Sequence, residues 1–342
     1  MQQKITLVIP THNRHRYLQR VLKFYANSGI AIIVGDSTLQ PLNPVPSNIS
    51  YLHLPGLSLP EKLKRLTAEV KTQYTVLCAD DDFIITGSIF KCLDFLEQHS
   101  DYAVAQGRII CYNKEALLKN EVNFSVIYKE DVIENNEEDP LVRLKKLFAP
   151  YHAFFYGVHR TENLRDAFSK NTKELNLFLN EFLTGIIPLY RGKSIELPVL
   201  YQVREYSLVS DDKTTTGLFH ILNNDQYKNQ YDQYLENICE ILSQKEGGSR
   251  DRLKATLHSL LCGLSDHFEE LNSNAQKVSV KKRVGRLVNF IPVIGKKIVS
   301  KSRAAERNKQ INEMIRTEED KQALAYISVF LLENRWAVLP GI

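Results

Sequence analysis

The feature that most narrows the fold is a pattern repeated three times in the first 85 residues: an apolar, β-rich run that stops abruptly at a polar loop. Ile5 to Ile9 runs into Pro10 to Arg14. Ile30 to Val34 runs into Gly35, Asp36, Ser37 and Thr38. Residues 74 to 79 run into Asp80, Asp81 and Asp82, followed at once by Phe83 and Ile84. Helical periodicity follows the first loop, where Tyr17, Leu18, Val21, Leu22 and Tyr25 recur at three- and four-residue steps. A second helix is expected to start at Ser58, with Glu61 completing a capping box, Pro60 in the first turn and Leu63, Leu66 and Val70 as its buried stripe. Pro10 is expected to end the first strand. A short strand is expected at Tyr51 to Leu54, a helix at 87–98, and two short strands at 102–106 and 108–112. Three or four βα units in about 110 residues predict an α/β fold with a mostly parallel sheet covered by helices.

In such a sheet, ligands bind beyond the carboxyl ends of the strands, where Asp80, Asp81 and Asp82 fall. Three adjacent carboxylates repel one another and are tolerated where a cation or a hydrogen-bond network neutralises them. Two readings follow: a divalent-metal site holding a phosphorylated ligand, or a solvated acidic loop. Arg14, His15, Arg16 and Arg20 make the start of the first helix basic, which favours an anionic ligand there. Asp36, at a strand tip, either accepts hydrogen bonds from a ribose or base or caps its loop. Lys62, Lys64 and Arg65 either face a nucleotide or lie in water. The chain has no GxGxxG and no GxxxxGK[ST], so neither a dinucleotide oxidoreductase nor a P-loop NTPase is supported.

Leu7 to Arg14, Ile32 to Ser37 and Leu77 to Phe83, in this order and at this spacing, resemble the strand-and-loop motifs of GT-A-fold glycosyltransferases of the inverting family 2 class. The likeness covers residues 1 to about 205. It implies a Rossmann-like GT-A sheet and a nucleotide-diphospho-sugar donor, with Thr11 and Asp36 at the nucleoside and Lys62 assisting. It places one acid of Asp80, Asp81 and Asp82 on ribose or sugar hydroxyls and the last acid of a D-x-D motif on Mn2+ or Mg2+. The Asp80-x-Asp82 register gives Asp82 the metal; the alternative frame, starting at Cys78, gives it to Asp80. The resemblance also implies a carboxylate base near the start of a later helix. Glu181, in the apolar segment 177–183, is preferred over Glu174, since partial burial raises a carboxyl toward the range of an effective base; a structural role in the helix is the remaining alternative. Arg204 is the candidate to close over the donor diphosphate. The aromatic stretch 150–160 is either a sugar platform (Tyr151, Phe154, Tyr156) or a buried strand, and His152 with His159 is too weak a pair to define a metal site.

The rest of the chain reads as helical from about residue 217, giving a donor-binding α/β region at 1–112, an acceptor and catalytic-base region at 113–215 and a helical carboxyl-terminal region at 216–342. Lys277, Lys281, Lys282, Arg283, Arg286, Lys296, Lys297, Lys301 and Arg303 lie among apolar residues with no acid between 277 and 303. That composition suits either an anionic membrane surface or a solvated basic helix pair. No nucleic-acid recognition motif accompanies it, so nucleic acid is not expected as a partner. Five widely spaced cysteines, none in a CxxC pair, fit a reducing compartment. The polar start of the chain leads directly into a strand, so no signal peptide is expected, and no apolar run is long enough to span a bilayer. A cytoplasmic protein is expected, at the inner face of the membrane if the basic tract engages lipid. The function implied is metal-dependent inverting transfer of a sugar to a glycan or lipid-linked acceptor in surface polysaccharide biosynthesis. The alternatives are a nucleotidyltransferase that makes an activated sugar and a non-catalytic nucleotide-sugar-binding module.

Overall fold

In the computed structural model, residues 4–126, 134–149, 151–206, 217–246, 249–288 and 309–339 are described. The first half alternates strand and helix: β1 (Ile5–Thr11), α1 (His15–Phe24), β2 (Ala31–Asp36), β3 (Ile49–His53), α2 (Leu59–Glu69), β4 (Tyr74–Leu77), β5 (Phe83–Ile84), α3 (Thr86–Gln98) and β6 (Tyr102–Asn113). Then come α4 (Lys114–Leu118), β7 (Phe124–Val126), β8 (Glu134–Asn135), α5 (Pro140–Phe148), β9 (Val158–Arg160), α6 (Thr161–Phe168), α7 (Leu177–Arg191) and β10 (Lys193–Tyr206). The helical remainder is α8 (Leu218–Asn223), α9 (Lys228–Glu246), α10 (Arg250–Val288), α11 (309–314) and α12 (Glu318–Glu333).

All these strands join one sheet in the order β3-β2-β1-β4-β9-β6-β10-β5, with β7 on β6 and β8 on β10. The long ladders are parallel, β2 with β1 and β3, β1 with β4, and β6 with β10. The short strands β5, β7, β8 and β9 pair antiparallel. The result is the expected architecture, a mixed, mostly parallel Rossmann-like sheet of GT-A type with a helical carboxyl-terminal extension. The chain winds outward from β1 through β2 to β3, then crosses back so that β4 lies on the other side of β1. This reversal places a topological switch point at the carboxyl ends of β1 and β4, the place where open α/β sheets bind ligands.

The capping box forms as expected, Ser58 accepting from the Glu61 backbone while the Glu61 carboxylate takes the Ser58 N–H, and Leu63, Leu66 and Val70 are fully buried. Two expectations need correction. Pro10 does not end β1, whose ladder to β2 continues through Pro10 and Thr11. Backbone direction alternates along a strand, so Pro10 faces the β4 side, beyond the last β1–β4 pair at Val8, and no ladder bond is lost. Residues 102–106 and 108–112 form one strand, with Gly107 admitting the β10 backbone: a Cβ there would lie 2.6 Å from the Val199 carbonyl. The helix that carries Glu181 begins at Leu177, capped by the Asn176 side chain.

One apolar cluster joins α2, α5, α6, α7, α9 and α10 to one face of the sheet, and a second joins α1 and α3 to the other. The carboxyl-terminal helix α12 is not a remote appendage. Ile327, Phe330 and Leu331 pack with Phe83, Tyr112 and Val203, and the Phe24 and Phe83 rings meet edge-on at 4.9 Å. Asp320 accepts from the Leu200 N–H, and Lys23 and Arg16 of α1 reach the Asn334 side chain and the Trp336 and Leu339 carbonyls. No described helix is long and apolar enough to cross a membrane. The polar loop 209–216 lies outside the described residues. So do the side chains of the basic tract 277–303.

Candidate active site

The acidic turn follows β4 and is held from three directions. The Thr11 hydroxyl, at the end of β1, donates to Asp80 Oδ2 at 2.6 Å. Arg14 spans the first two acids, with Nη1 3.2 Å from Asp80 Oδ1 and Nη2 2.6 Å from Asp81 Oδ2. Its placement follows from the loop: Asn13 adopts a left-handed φ of 55° and donates its N–H to Thr38, turning the chain so that Arg14 points back over the turn. Asp82 faces β10, where Gln202 and Arg204, two residues apart and therefore on one face of the strand, both reach Oδ2, at 2.9 and 3.3 Å. The Glu205 N–H donates to Asp82 Oδ1. Both oxygens of Asp82 are thus engaged, and Asp81 is the most solvent-accessible of the three acids.

Burial governs the electrostatics. It raises Asp82 to about 7, with neighbouring Asp81 adding to the effect and Arg204 opposing it. Asp80 is raised to about 6 by burial, against the pull of Arg14. Lys62, buried in α2, donates to the Thr11 carbonyl at 2.6 Å; burial lowers its ammonium to about 8, while Asp80 and Asp36 favour its charged form. Lys64 and Arg65, by contrast, are exposed. Behind the turn, Arg20 is fully buried. It donates to the Asp81 carbonyl and to Tyr112, whose hydroxyl lies 2.7 Å from Glu205.

Asp36, at the end of β2, is buried, with Oδ2 contacting Tyr51 and His15 and Oδ1 accepting from the Thr38 N–H. His12 and His53 flank the same loop through Ser37 and the Thr38 carbonyl. Glu181 lies in the second turn of α7, partly buried, with the Tyr151 hydroxyl donating to Oε1 at 3.3 Å. Burial raises its carboxyl, while Arg204 and the Tyr151 bond lower it. Arg204 is therefore electrostatically linked both to Asp82 and to Glu181, and it stacks over the Tyr156 ring at 5.1 Å. Glu174 precedes α7 and is exposed.

Thr11, Lys62, Asp80, Asp81, Asp82 and Arg204 thus lie in one connected cluster, with Glu181 joined through Arg204 and Asp36 beside it on the neighbouring strand. Phe154 is a core residue, whereas Tyr151 and Tyr156 border this cluster. His152 pairs with Glu196 and Gln106, and His159 bonds to the Phe154 carbonyl. Sequence reasoning missed Gln202, Glu205 and Tyr51 as members, and it assigned Arg14 and His15 only to a basic region. The i, i+2 spacing of Gln202 and Arg204 on a strand was the available signal for the first. The others are joined by long-range contacts that leave no local pattern.

Among the described residues, no group of three or more His, Cys, Asp or Glu side chains is arranged to hold a metal ion. The donor set present, adjacent carboxylates without sulfur or nitrogen, suits hard cations such as Mg2+ and Mn2+. Mg2+ commonly takes one or two protein carboxylates and completes its shell with phosphate oxygens and water.

No protein-family model and no curated protein sequence matches the chain. Solved structures resemble it in fold. Residues 1–349 of S. aureus TarS in complex with UDP-GlcNAc superpose with a TM-score of 0.50 at 12% identity, over 76% of this chain and 72% of that one. The same protein in complex with UDP gives 0.48 at 12% identity, over 76% and 71%. At this identity the likeness is one of fold.

Proposed function

We propose that this protein is a glycosyltransferase that moves a sugar from a nucleotide-diphospho-sugar to a hydroxyl group of a glycan or lipid-linked acceptor in surface polysaccharide assembly, inverting the anomeric centre. The observation that carries this reading is the link through Arg204. One side chain is coupled both to the acidic turn at the switch point and to Glu181, a partly buried carboxylate with a raised pKa. A donor site and a general base within reach of one cation are what a direct displacement at a sugar carbon requires. The fold is also one in which TarS holds UDP-GlcNAc.

In this reading Thr11 and Asp36 bind the nucleoside, Asp36 with its orientation fixed by Tyr51 and His15. Lys62 and Arg204 face the diphosphate. Asp80 and Asp81 take ribose or sugar hydroxyls. Asp82, from the D-x-D register, holds Mn2+ or Mg2+, with Asp80, from the frame starting at Cys78, as the alternative ligand. When bound, the cation offsets charge on the departing diphosphate. Ionised Glu181 takes the proton of the acceptor hydroxyl as that oxygen forms its bond to the anomeric carbon. The bond from that carbon to the diphosphate oxygen breaks, and its electron pair leaves with the nucleoside diphosphate. Arg204 meets the charge on the leaving group and keeps Glu181 ionised more readily than burial alone would allow.

The test is a titration of the protein with UDP-, GDP-, dTDP- and CMP-sugars, with and without Mn2+. Binding of one nucleotide class, strengthened by Mn2+, is expected. Failure of every donor to bind under both conditions would sink the reading.

A further inference from the structure

The acidic turn carries its own counter-charge. Its three carboxylates face three basic side chains from three different elements: Arg14 from the loop after β1, Arg204 from β10 and Lys62 from α2. Between about pH 7 and 8, where all three acids are largely ionised and Lys62 still carries its proton, three negative charges against three positive ones leave the turn close to neutral before any ligand arrives. Arg14 and Arg204 are both partly exposed, and Arg14 is the one that bridges two of the acids. Its fork takes one oxygen each from Asp80 and Asp81, and it stacks over the Tyr17 ring at 4.2 Å. Two carboxylates bridged by one cation are the arrangement a divalent ion would otherwise impose on them.

We propose that Arg14 is the resident counter-cation of this site, holding the Asp80 and Asp81 carboxylates until a divalent cation and the donor diphosphate arrive together and displace it. The inference rests on the function proposed above, in that the cation concerned is the one that accompanies a nucleotide diphosphate. The electrostatics dictate the order. A doubly positive ion entering alone meets a turn that is already neutral, and it is repelled by Arg204 on Asp82 and by Arg14 on the two neighbouring acids. A cation paired with a doubly negative diphosphate adds no net charge, and the phosphate oxygens offer the guanidinium a new bidentate partner as it leaves the aspartates. Arg14 is therefore a gate on the metal: it makes the site a poor binder of free Mn2+ or Mg2+ and a good binder of the metal–nucleotide pair.

The test is Mn2+ binding to nucleotide-free protein, followed by electron paramagnetic resonance of the free ion, for wild type, Arg14→Gln and Arg14→Lys. Arg14→Gln is expected to bind Mn2+ at least about tenfold more tightly than wild type, because a like charge has been removed from the site. Arg14→Lys, which keeps the charge, is expected to stay within about threefold of wild type. Equal or weaker binding by Arg14→Gln, or no Mn2+ binding to either protein, overturns the proposal. A second measurement covers the case in which Arg14→Gln does not fold. In wild type, the Arg14 Nε–Hε resonance is followed while Mg2+ and UDP are added together. Movement toward a phosphate-bound position supports displacement, and an unmoved resonance under saturating conditions overturns it. Failure of any nucleotide to bind would instead remove the glycosyltransferase reading, while the Mn2+ comparison without nucleotide would still decide the role of Arg14.

Discussion

Replacing Asp82 with asparagine keeps the shape of the side chain and removes its charge. In the folded chain the Asp82 carboxyl is pushed up to about 7 by burial and by Asp81, against an ordinary value of 3.8. The native state therefore holds a proton that the unfolded chain has released between about pH 4 and 7. The stability this carboxyl contributes is present below about pH 4 and is lost as the pH rises through about 7. At about 1.4 kcal/mol per pH unit, the loss across that window is on the order of 4 kcal/mol. The Asp82→Asn variant escapes that loss, a figure that already includes the opposing pull of Arg204 on the charged form. Its new amide donor has a ready acceptor in Gln202 Oε1, a buried atom that has no hydrogen-bond partner. The net expectation is that Asp82→Asn is on the order of 4 kcal/mol more stable than wild type at about pH 8, or about 5 °C in Tm for a chain of this size, and less than half as much at about pH 5. Thermal unfolding in EDTA at the two pH values measures this. An Asp82→Asn protein less stable than wild type at the higher pH, or a difference that does not change with pH, would refute the assignment of a raised carboxyl to this turn.

Glu181→Gln is expected to leave nucleotide affinity unchanged and lower kcat by about 10^2 to 10^4, the usual contribution of a general base; retained transfer removes Glu181 from that role. The wild-type rate is expected to rise with pH through a value above that of an ordinary glutamate, since the base works only when ionised and burial holds its proton; a profile already flat at about pH 5 counts against this. Gly107→Ala is expected to destabilise the fold by about 2 to 3 kcal/mol in urea unfolding, because its Cβ meets the rigid β10 backbone rather than a movable side chain. Flotation with anionic liposomes is expected to weaken when residues 277–303 are deleted; equal flotation of both chains excludes that tract as the membrane contact.

The donor half was legible because its signals are local. Apolar runs marked the β1, β2 and β4 strands, Ser58 and Glu61 announced α2, and each polar loop sat where a parallel sheet gathers ligands. Pro10 and Gly107 misled for one reason: both are local breakers whose effect depends on a neighbouring strand the sequence does not show. Pro10 faces a side where pairing has already ended, and Gly107 is needed by the strand lying against it. The site residues divide similarly. Asp80, Asp81 and Asp82 stand out as a run, and Lys62 was reachable from its place on a predicted helix. Glu205 acquires its place from Arg20, Tyr112, Tyr17 and Lys114, which are scattered over more than 90 positions before it. No periodicity encodes such a set.

The packing of α12 against α1 bears on the order in which the molecule can be completed. Arg16 and Lys23 leave the ribosome more than 300 residues ahead of their partners at 334–339. Contacts this far apart in sequence form late, since the intervening chain must be gathered first. The βα units before residue 113 are expected to collapse during synthesis, but the helix that carries the donor loop gains its outer support only once residues 334–339 have been made. A nascent chain arrested before α12 would therefore hold a formed sheet with the Phe24 and Phe83 rings stripped of their Phe330 cover, a sticky intermediate.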